Sequence, residues 1–233
     1  MPETLIKESE VQEVVTVSRG IYARYIKRPM DFFLSFCAIA VLSPVLLILT
    51  IIGAIVMKGN PFFIQERPGK NEKIFKLIKF RTMTCEKDKD GKPLPDEQRL
   101  TGYGNFLRNT SLDELPELFS ILKGDMSIIG PRPLLVKYLP RYSPEQRRRH
   151  EVRPGLTGYA QAYGRNSLTW EEKFEKDVYY VNHISLWLDI KIIFKTVAVV
   201  LKREGISSET SATMEEFIGT EVADAKDNVE IQK

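Results

Sequence analysis

The chain has 233 residues with 34 basic and 31 acidic side chains, length for one ordinary domain plus an anchor, and a net charge of only +3. That charge is uneven: residues 206 to 233 hold seven acids and two lysines, a net of −5, leaving +8 upstream, a balance that suits an anionic partner such as a phosphate ligand or a membrane surface. Two cysteines, Cys37 and Cys85, and two histidines, His150 and His183, exclude a disulfide framework and any zinc-ligand spacing.

Residues 1 to 26 form a polar N-terminal segment without the form of a cleavable signal peptide. From Phe32 to Met57 there follow 26 consecutive uncharged residues, more than the ~20 that cross a bilayer as a helix. Ser43-Pro44 sits at the centre of the run, and positive charge flanks both ends: Arg24, Lys27 and Arg28 before it, Lys58, Lys70, Lys73 and Lys76 after it. Two readings stand. One is a Pro-kinked spanning helix. The other is a re-entrant hairpin over residues 27 to 58, broken at Ser43-Pro44, with both ends on the cytoplasmic side by the positive-inside rule. Arms of about 18 and 21 Å would dip into a hydrocarbon core roughly 30 Å thick without crossing it.

Residues 59 to 205 read as one α+β domain, mainly helical with short strands. Pro61 to Met83 alternates short apolar stretches with Pro-Gly and Asn-Glu punctuation, predicting strands or a hairpin. Residues 86 to 99 read as a charged loop. A helix is expected from about Leu112 to Lys123, with Leu115, Leu118, Phe119 and Leu122 on one face and Gly124 as its stop. Ser143-Pro144-Glu145-Gln146 opens another helix through Arg147, Arg148 and Arg149, an arginine run that reads as a solvated or headgroup-facing edge. After a glycine-rich loop over 155 to 168, Thr169 and Glu172 have capping-box spacing and start a helix to about Asn182. A last helix from about Ser185 to Glu204 carries Trp187, Ile190, Phe194, Val197 and Leu201 on one stripe, suited either to a membrane interface or to the domain core. Residues 206 to 233 read as a flexible acidic tail.

The sharpest chemical feature is Ser111-Leu112-Asp113-Glu114-Leu115-Pro116, two adjacent carboxylates at a helix start. Ser111 and Glu114 are spaced as a capping box, which needs no function. The alternative is that Asp113, held ionised, is a nucleophile toward phosphorus. Attack by a carboxylate on an anionic diphosphate needs several cations, and loops offer Arg81, Arg108, Arg132 and Arg165, with Lys79 nearby. Gly102-x-Gly104 lacks the third glycine of a dinucleotide fingerprint, and no Walker-type loop occurs.

Ordered blocks from Lys27 to Gly205 resemble the small monotopic phosphoglycosyl transferases, the bacterial sugar transferases. They are Lys27-Arg28-Pro29-Met30-Asp31, Ser43-Pro44, Lys79-Phe80-Arg81-Thr82-Met83, Ser111-Leu112-Asp113-Glu114-Leu115, Leu122-Lys123-Gly124-Asp125-Met126-Ser127, Gly130-Pro131-Arg132-Pro133-Leu134, Arg153-Pro154-Gly155-Leu156-Thr157-Gly158 and Asp177-Val178-Tyr179-Tyr180. Within the family the chain looks closest to members that load diacetylbacillosamine phosphate. The resemblance implies a re-entrant helix in the bacterial inner membrane, a catalytic domain on the cytoplasmic face, and transfer of a sugar phosphate from a UDP-sugar to undecaprenyl phosphate with release of UMP. It implies Asp113 as nucleophile, Glu114 with Asp113 as Mg²⁺ ligands, and Lys79, Arg108, Arg132 and Arg165 facing phosphates, Arg81 being added from its place in the third block. Partners would be the two substrates, membrane phospholipids and downstream glycosyltransferases, with no nucleic acid; the oligomeric state stays open, a homodimer included. Tyr159, where many relatives have Trp, and Ala162-Tyr163, where Val-Asn is frequent, depart from the pattern and loosen any assignment of the sugar beyond an N-acetylated amino sugar. The rival reading is a non-catalytic membrane adaptor with a basic lipid-facing surface.

Overall fold

A computed structural model describes residues 20 to 164, 168 to 202 and 216 to 219. In chain order the elements are α1 (Lys27–Val56), preceded by a π-helical turn over Tyr22–Ile26, β1 (Phe62–Pro68), β2 (Ile74–Phe80), α2 (Asp96–Arg99), α3 (Gly102–Thr110), α4 (Glu117–Lys123), β3 (Ser127–Ile129), α5 (Pro144–Arg147), β4 (Gly155–Thr157), α6 (Tyr159–Ala162), α7 (Trp170–Asn182) and α8 (Leu186–Lys202). The expected α+β class, mainly helical with a short hairpin, is what forms: β1 and β2 pair antiparallel from Phe62 opposite Phe80 to Pro68 opposite Ile74.

Helix α1 remains helical through Ser43-Pro44, so its two halves are joined by helical residues and not by a loop. Proline has no N–H to give the carbonyl four residues back, which is that of Ala40. The Ser43 hydroxyl donates to that same carbonyl at 2.9 Å, which satisfies the acceptor that Pro44 leaves without an N–H. Phe33, Val41, Leu47 and Ile55 are exposed along the helix. It is the one helix among the described residues long and apolar enough to cross a membrane.

Both ends of α1 nevertheless rest on the same polar domain. At the front, Arg28 donates to the carbonyls of Ile121 (2.7 Å) and Leu122 (2.8 Å), capping α4. Asp31, 1 % exposed, accepts from the Ser127 hydroxyl and the Ile128 N–H. At the rear, the Tyr103 hydroxyl donates to Leu49 O at 2.8 Å, and Leu49 packs with Phe80 and Leu107. Between them Ala38, Ile39 and Leu42 lie against Leu118, Ile121, Phe75 and Leu77.

Several expected elements differ. Helix α3 was not anticipated; Thr101 caps it by accepting from Gly104 N–H. A side chain at Gly104 would put its Cβ 1.9 Å from Thr82 O, so Gly104 serves close packing of α3 on the exit of β2, while a side chain at Gly102 would meet open space. The expected helix from Leu112 splits into a 3₁₀ turn, Leu112–Glu114, and α4; its buried side is Leu118 and Ile121, while Phe119 is exposed. Inside the glycine-rich loop β4 pairs parallel with β3, a contact that no local pattern announces. The boxes at Ser143/Gln146 and Thr169/Glu172 both form. On α8 Trp187, Phe194 and Val197 of the stripe are exposed, while Asp189, Ile192 and Val199 face inward, so these three residues of the stripe are not packed into the domain core.

The arginine run does not make one solvated edge. Arg147 pairs with Glu72, Arg148 with Glu145 and Glu151, and Arg149 is buried against Asp177 at 2.7 Å. Next to it His150 is buried beside Tyr142, its Nδ1 3.2 Å from Arg147 O. Burial and the neighbouring Arg149 charge push the imidazole down to about 4. Between the ordinary histidine pKa and that value the unfolded chain binds the extra proton, so stability present above pH 6.5 is lost as pH falls. We expect urea unfolding to show about 2 kcal/mol less stability from this residue at pH 5 than at pH 7, and His150→Gln to flatten that dependence.

Candidate active site

Four elements deliver charged side chains to one place. The end of β2 brings Lys79, the last turn of α3 brings Arg108, the 3₁₀ turn brings Asp113 and Glu114, and the loop after β3 brings Arg132. Ser111 sits at the hinge between α3 and the turn with φ +56°, the left-handed conformation that ends α3.

Ser111 and Glu114 form no capping box: the Ser111 side chain makes no cap bond, and the Glu114 carboxylate is used elsewhere. Its Oε1 receives Lys79 Nζ at 2.7 Å and Arg132 Nη2 at 2.6 Å. Burial by itself would raise this carboxyl, but Arg132 and Lys79 outweigh it and hold the group at about 2. Glu114 is thus a fixed anion at any physiological pH.

Asp113 is different. Burial, then the Glu114 charge beside it, raises its carboxyl, against the pull of Lys79, Arg132 and Arg108. Among the described residues its carboxylate forms no hydrogen bond or ion pair. The adjacent carboxylates therefore divide: one is clamped, the other is left available among cations.

Glu117 completes the cluster and was not singled out by spacing. It is 3 % exposed on the first turn of α4 and lies 2.9 Å from Lys79 Nζ. Burial and Glu114 raise it to about 6 despite Lys79. Its signal was present as an acid three residues after Glu114, one helical turn on, but such an acid ordinarily faces solvent.

The other expected site residues are placed as follows. Arg108 Nε donates to the Thr82 hydroxyl at 3.1 Å, which holds the guanidinium beside the turn. Arg81 is not brought to the carboxylates: its backbone N–H donates to Pro61 O and its guanidinium reaches Cys85 Sγ at 3.5 Å. Arg165 lies outside the described residues. Arg149 Nη2 donates to Arg132 O at 2.7 Å while its Nε and Nη2 hold Asp177, so the Arg132 loop is pinned by a buried pair hidden in the arginine run. Among the described residues no group of three or more His, Cys, Asp or Glu side chains could hold a metal ion. Asp113 and Glu114 do supply the hard oxygens that Mg²⁺ takes one or two of, the rest of its shell coming from water and phosphate.

A family model described as "Bacterial sugar transferase" matches residues 22 to 203. The chain belongs to the bacterial sugar transferase family. It is 52 % identical over 179 residues, 76 % of this chain and 89 % of the relative, to "Uncharacterized sugar transferase EpsL" of Bacillus subtilis. It is 39 % identical over 189 residues, 78 % of this chain, to the "UDP-N-acetylgalactosamine-undecaprenyl-phosphate N-acetylgalactosaminephosphotransferase" of Aeromonas hydrophila, of which 44 % is covered. It is 40 % identical over 184 residues, 75 % of this chain, to the "UDP-glucose:undecaprenyl-phosphate glucose-1-phosphate transferase" of Escherichia coli, of which 40 % is covered. The chain thus spans less than half of these last two transferases.

The clamp generates a stability prediction. Replacing Lys79 with Met leaves two carboxylates without their shared cation, and we expect a loss of about 2 kcal/mol at pH 7 by denaturant unfolding. Because Glu117 already sits at about 6, it takes up a proton as pH falls to 5, and the cost of the substitution should shrink there.

Proposed function

We propose that this bacterial sugar transferase moves a sugar 1-phosphate from a UDP-sugar to undecaprenyl phosphate, initiating a glycoconjugate. The observation that carries the reading is the Asp113 carboxylate, available and ringed by Lys79, Arg108 and Arg132, beside a Glu114 that is already clamped. In step one an Asp113 oxygen attacks the β-phosphorus, the bond to the α-phosphate oxygen breaks, and UMP departs with that electron pair. In step two an oxygen of undecaprenyl phosphate attacks the same phosphorus, the Asp113–phosphorus bond breaks, and undecaprenyl-diphosphate-sugar leaves. Lys79, Arg108 and Arg132 offset charge on the transferring phosphoryl group, with arginine forks suited to its oxygens. Mg²⁺, held by Asp113 and Glu114 together with substrate phosphates, would supply further neutralisation of the diphosphate.

The raised Asp113 carboxyl fits this role, since a more basic carboxylate is the better nucleophile provided it is ionised at neutral pH. Relatives whose names carry N-acetylgalactosamine, galactose or glucose share the family, so the donor is read here only as a UDP-sugar, with an N-acetylated amino sugar as the leading expectation.

We read α1 as re-entrant. A helix of 30 residues is about 45 Å long, so one that crossed the roughly 30 Å hydrocarbon core would leave its ends on opposite faces, where they could not both touch one domain. Contacts of Arg28 and Asp31 at the front and of Leu49 at the rear with the same charged domain support a path that enters and leaves on the cytoplasmic face. Trp187 and Phe194 on α8 would meet the same interface.

Purified protein should release UMP from a UDP-sugar in the presence of undecaprenyl phosphate, read across a panel of donors. Release should stop when EDTA removes Mg²⁺ and fall at least ~10³-fold in Asp113→Asn. A folded protein that releases UMP from no donor, or an Asp113→Asn variant as active as wild type, sinks the reading.

A further inference from the structure

Residues 216 to 219 lie within the acidic tail, and the bacterial sugar transferase model ends before them at residue 203. They are packed on the domain. Phe217 is 2 % exposed in an aromatic socket, with ring centroids at 5.0 Å from Phe174, 5.5 Å from Trp170, 5.7 Å from Tyr138 and 5.8 Å from Tyr142. Glu216 pairs with Lys137 (2.5 Å) and Arg141 (2.8 Å), and Arg141 also donates to Phe217 O. An aromatic anchor in a fitted pocket with a charge pair at its rim has the anatomy of a specific docking contact.

The socket leads to the active site through touching groups. Tyr142 and Phe174, which Phe217 contacts, are the two rings over which the Arg149 guanidinium sits, at 5.8 and 5.6 Å. Arg149 holds Arg132 O at 2.7 Å, and Arg132 holds Glu114 at 2.6 Å. Lys137 and Arg141 belong to the 3₁₀ helix Val136–Arg141, a few residues downstream of Arg132 on the same loop. The tail segment therefore grips both the chain that carries Arg132 and the rings that seat the arginine pinning it.

We propose that Glu216–Gly219 is an intramolecular latch, and that Phe217 and Glu216 are positioning residues that hold Arg132 for the donor diphosphate. The link to the diphosphate rests on the proposed transferase reading; the latch itself does not.

The test compares full-length wild type with Phe217→Ala and Phe217→Leu. Hydrogen exchange in Phe217→Ala should quicken ~10-fold or more over residues 130 to 151 while α3 and α4 stay as in wild type. The KM for the UDP-sugar should rise ~5-fold with the KM for undecaprenyl phosphate unchanged, and Phe217→Leu, keeping apolar bulk in the socket, should recover most of both effects. Loss of folded fraction alone lowers kcat and moves neither KM. Unchanged exchange over 130 to 151 overturns the latch whether or not the protein has activity, and quickened exchange with an unchanged donor KM overturns its link to Arg132. A wild type that releases no UMP defeats the transferase reading instead, and the exchange comparison still decides the latch.

Discussion

Asp113, Glu114 and Glu117 crowd three carboxylates into five residues, and the fold has to bring Lys79, Arg108 and Arg132 to them from elsewhere in the chain. Like charges at such spacing repel by about 1 to 4 kcal/mol per pair, depending on how far water is excluded. The arrangement survives because Lys79 bridges Glu114 and Glu117 and Arg132 shares the same Glu114 oxygen. The remaining architecture reads as support for this charge balance. The β1–β2 hairpin fixes Lys79, the close packing at Gly104 fixes α3 and so Arg108, and the buried Arg149–Asp177 pair fixes the Arg132 loop.

The same logic attaches the domain to its apolar helix. Asp31 and Asp189 are both 1 % exposed, on elements otherwise suited to lipid. Asp189 receives Lys27 Nζ at 2.7 Å and the hydroxyls of Tyr22 and Tyr180 at 2.6 and 2.8 Å, tying α8 and α7 to the start of α1. A carboxylate that leaves its partners there becomes an uncompensated buried charge, so these acids fix how α1 and α8 sit on the domain more firmly than apolar contact would. In the transferase reading proposed above, transfer between a soluble nucleotide sugar and a lipid phosphate would need a site held at a fixed height above the membrane, and these two anchors, one near each apolar surface, would provide it.

The two departures from the family pattern turn out to be one feature. The Tyr159 ring lies tilted against Tyr163 at 4.5 Å and against Tyr179 at 5.0 Å, and Tyr179 stacks on His183 at 4.1 Å, so the substituted aromatics join a continuous run of rings along α6 and α7. Positions 159 and 163 thus touch through their rings.

Local order was legible in the residues: the 26-residue apolar run, the hairpin, two capping boxes, α7, α8 and the adjacent carboxylates all follow from short-range spacing and composition. The breaks in that record have a common cause. Ser111 and Glu114 obey the capping-box spacing, yet the box loses to Lys79, 35 residues upstream, and Arg132, 18 downstream, because an ion pair to two cations outcompetes one backbone N–H. Three consecutive arginines look alike in sequence, but successive helical residues point about 100° apart, so one is buried on Asp177 while its neighbours stay on the surface. The parallel β3–β4 pair, the inward face of α8 and the seat of Phe217 likewise depend on partners distant in the chain. Spacing and composition determined which segments are helical, extended or apolar and where the adjacent carboxylates stand; the tertiary structure alone decided which charges meet, because pairing between remote residues leaves no periodicity to read.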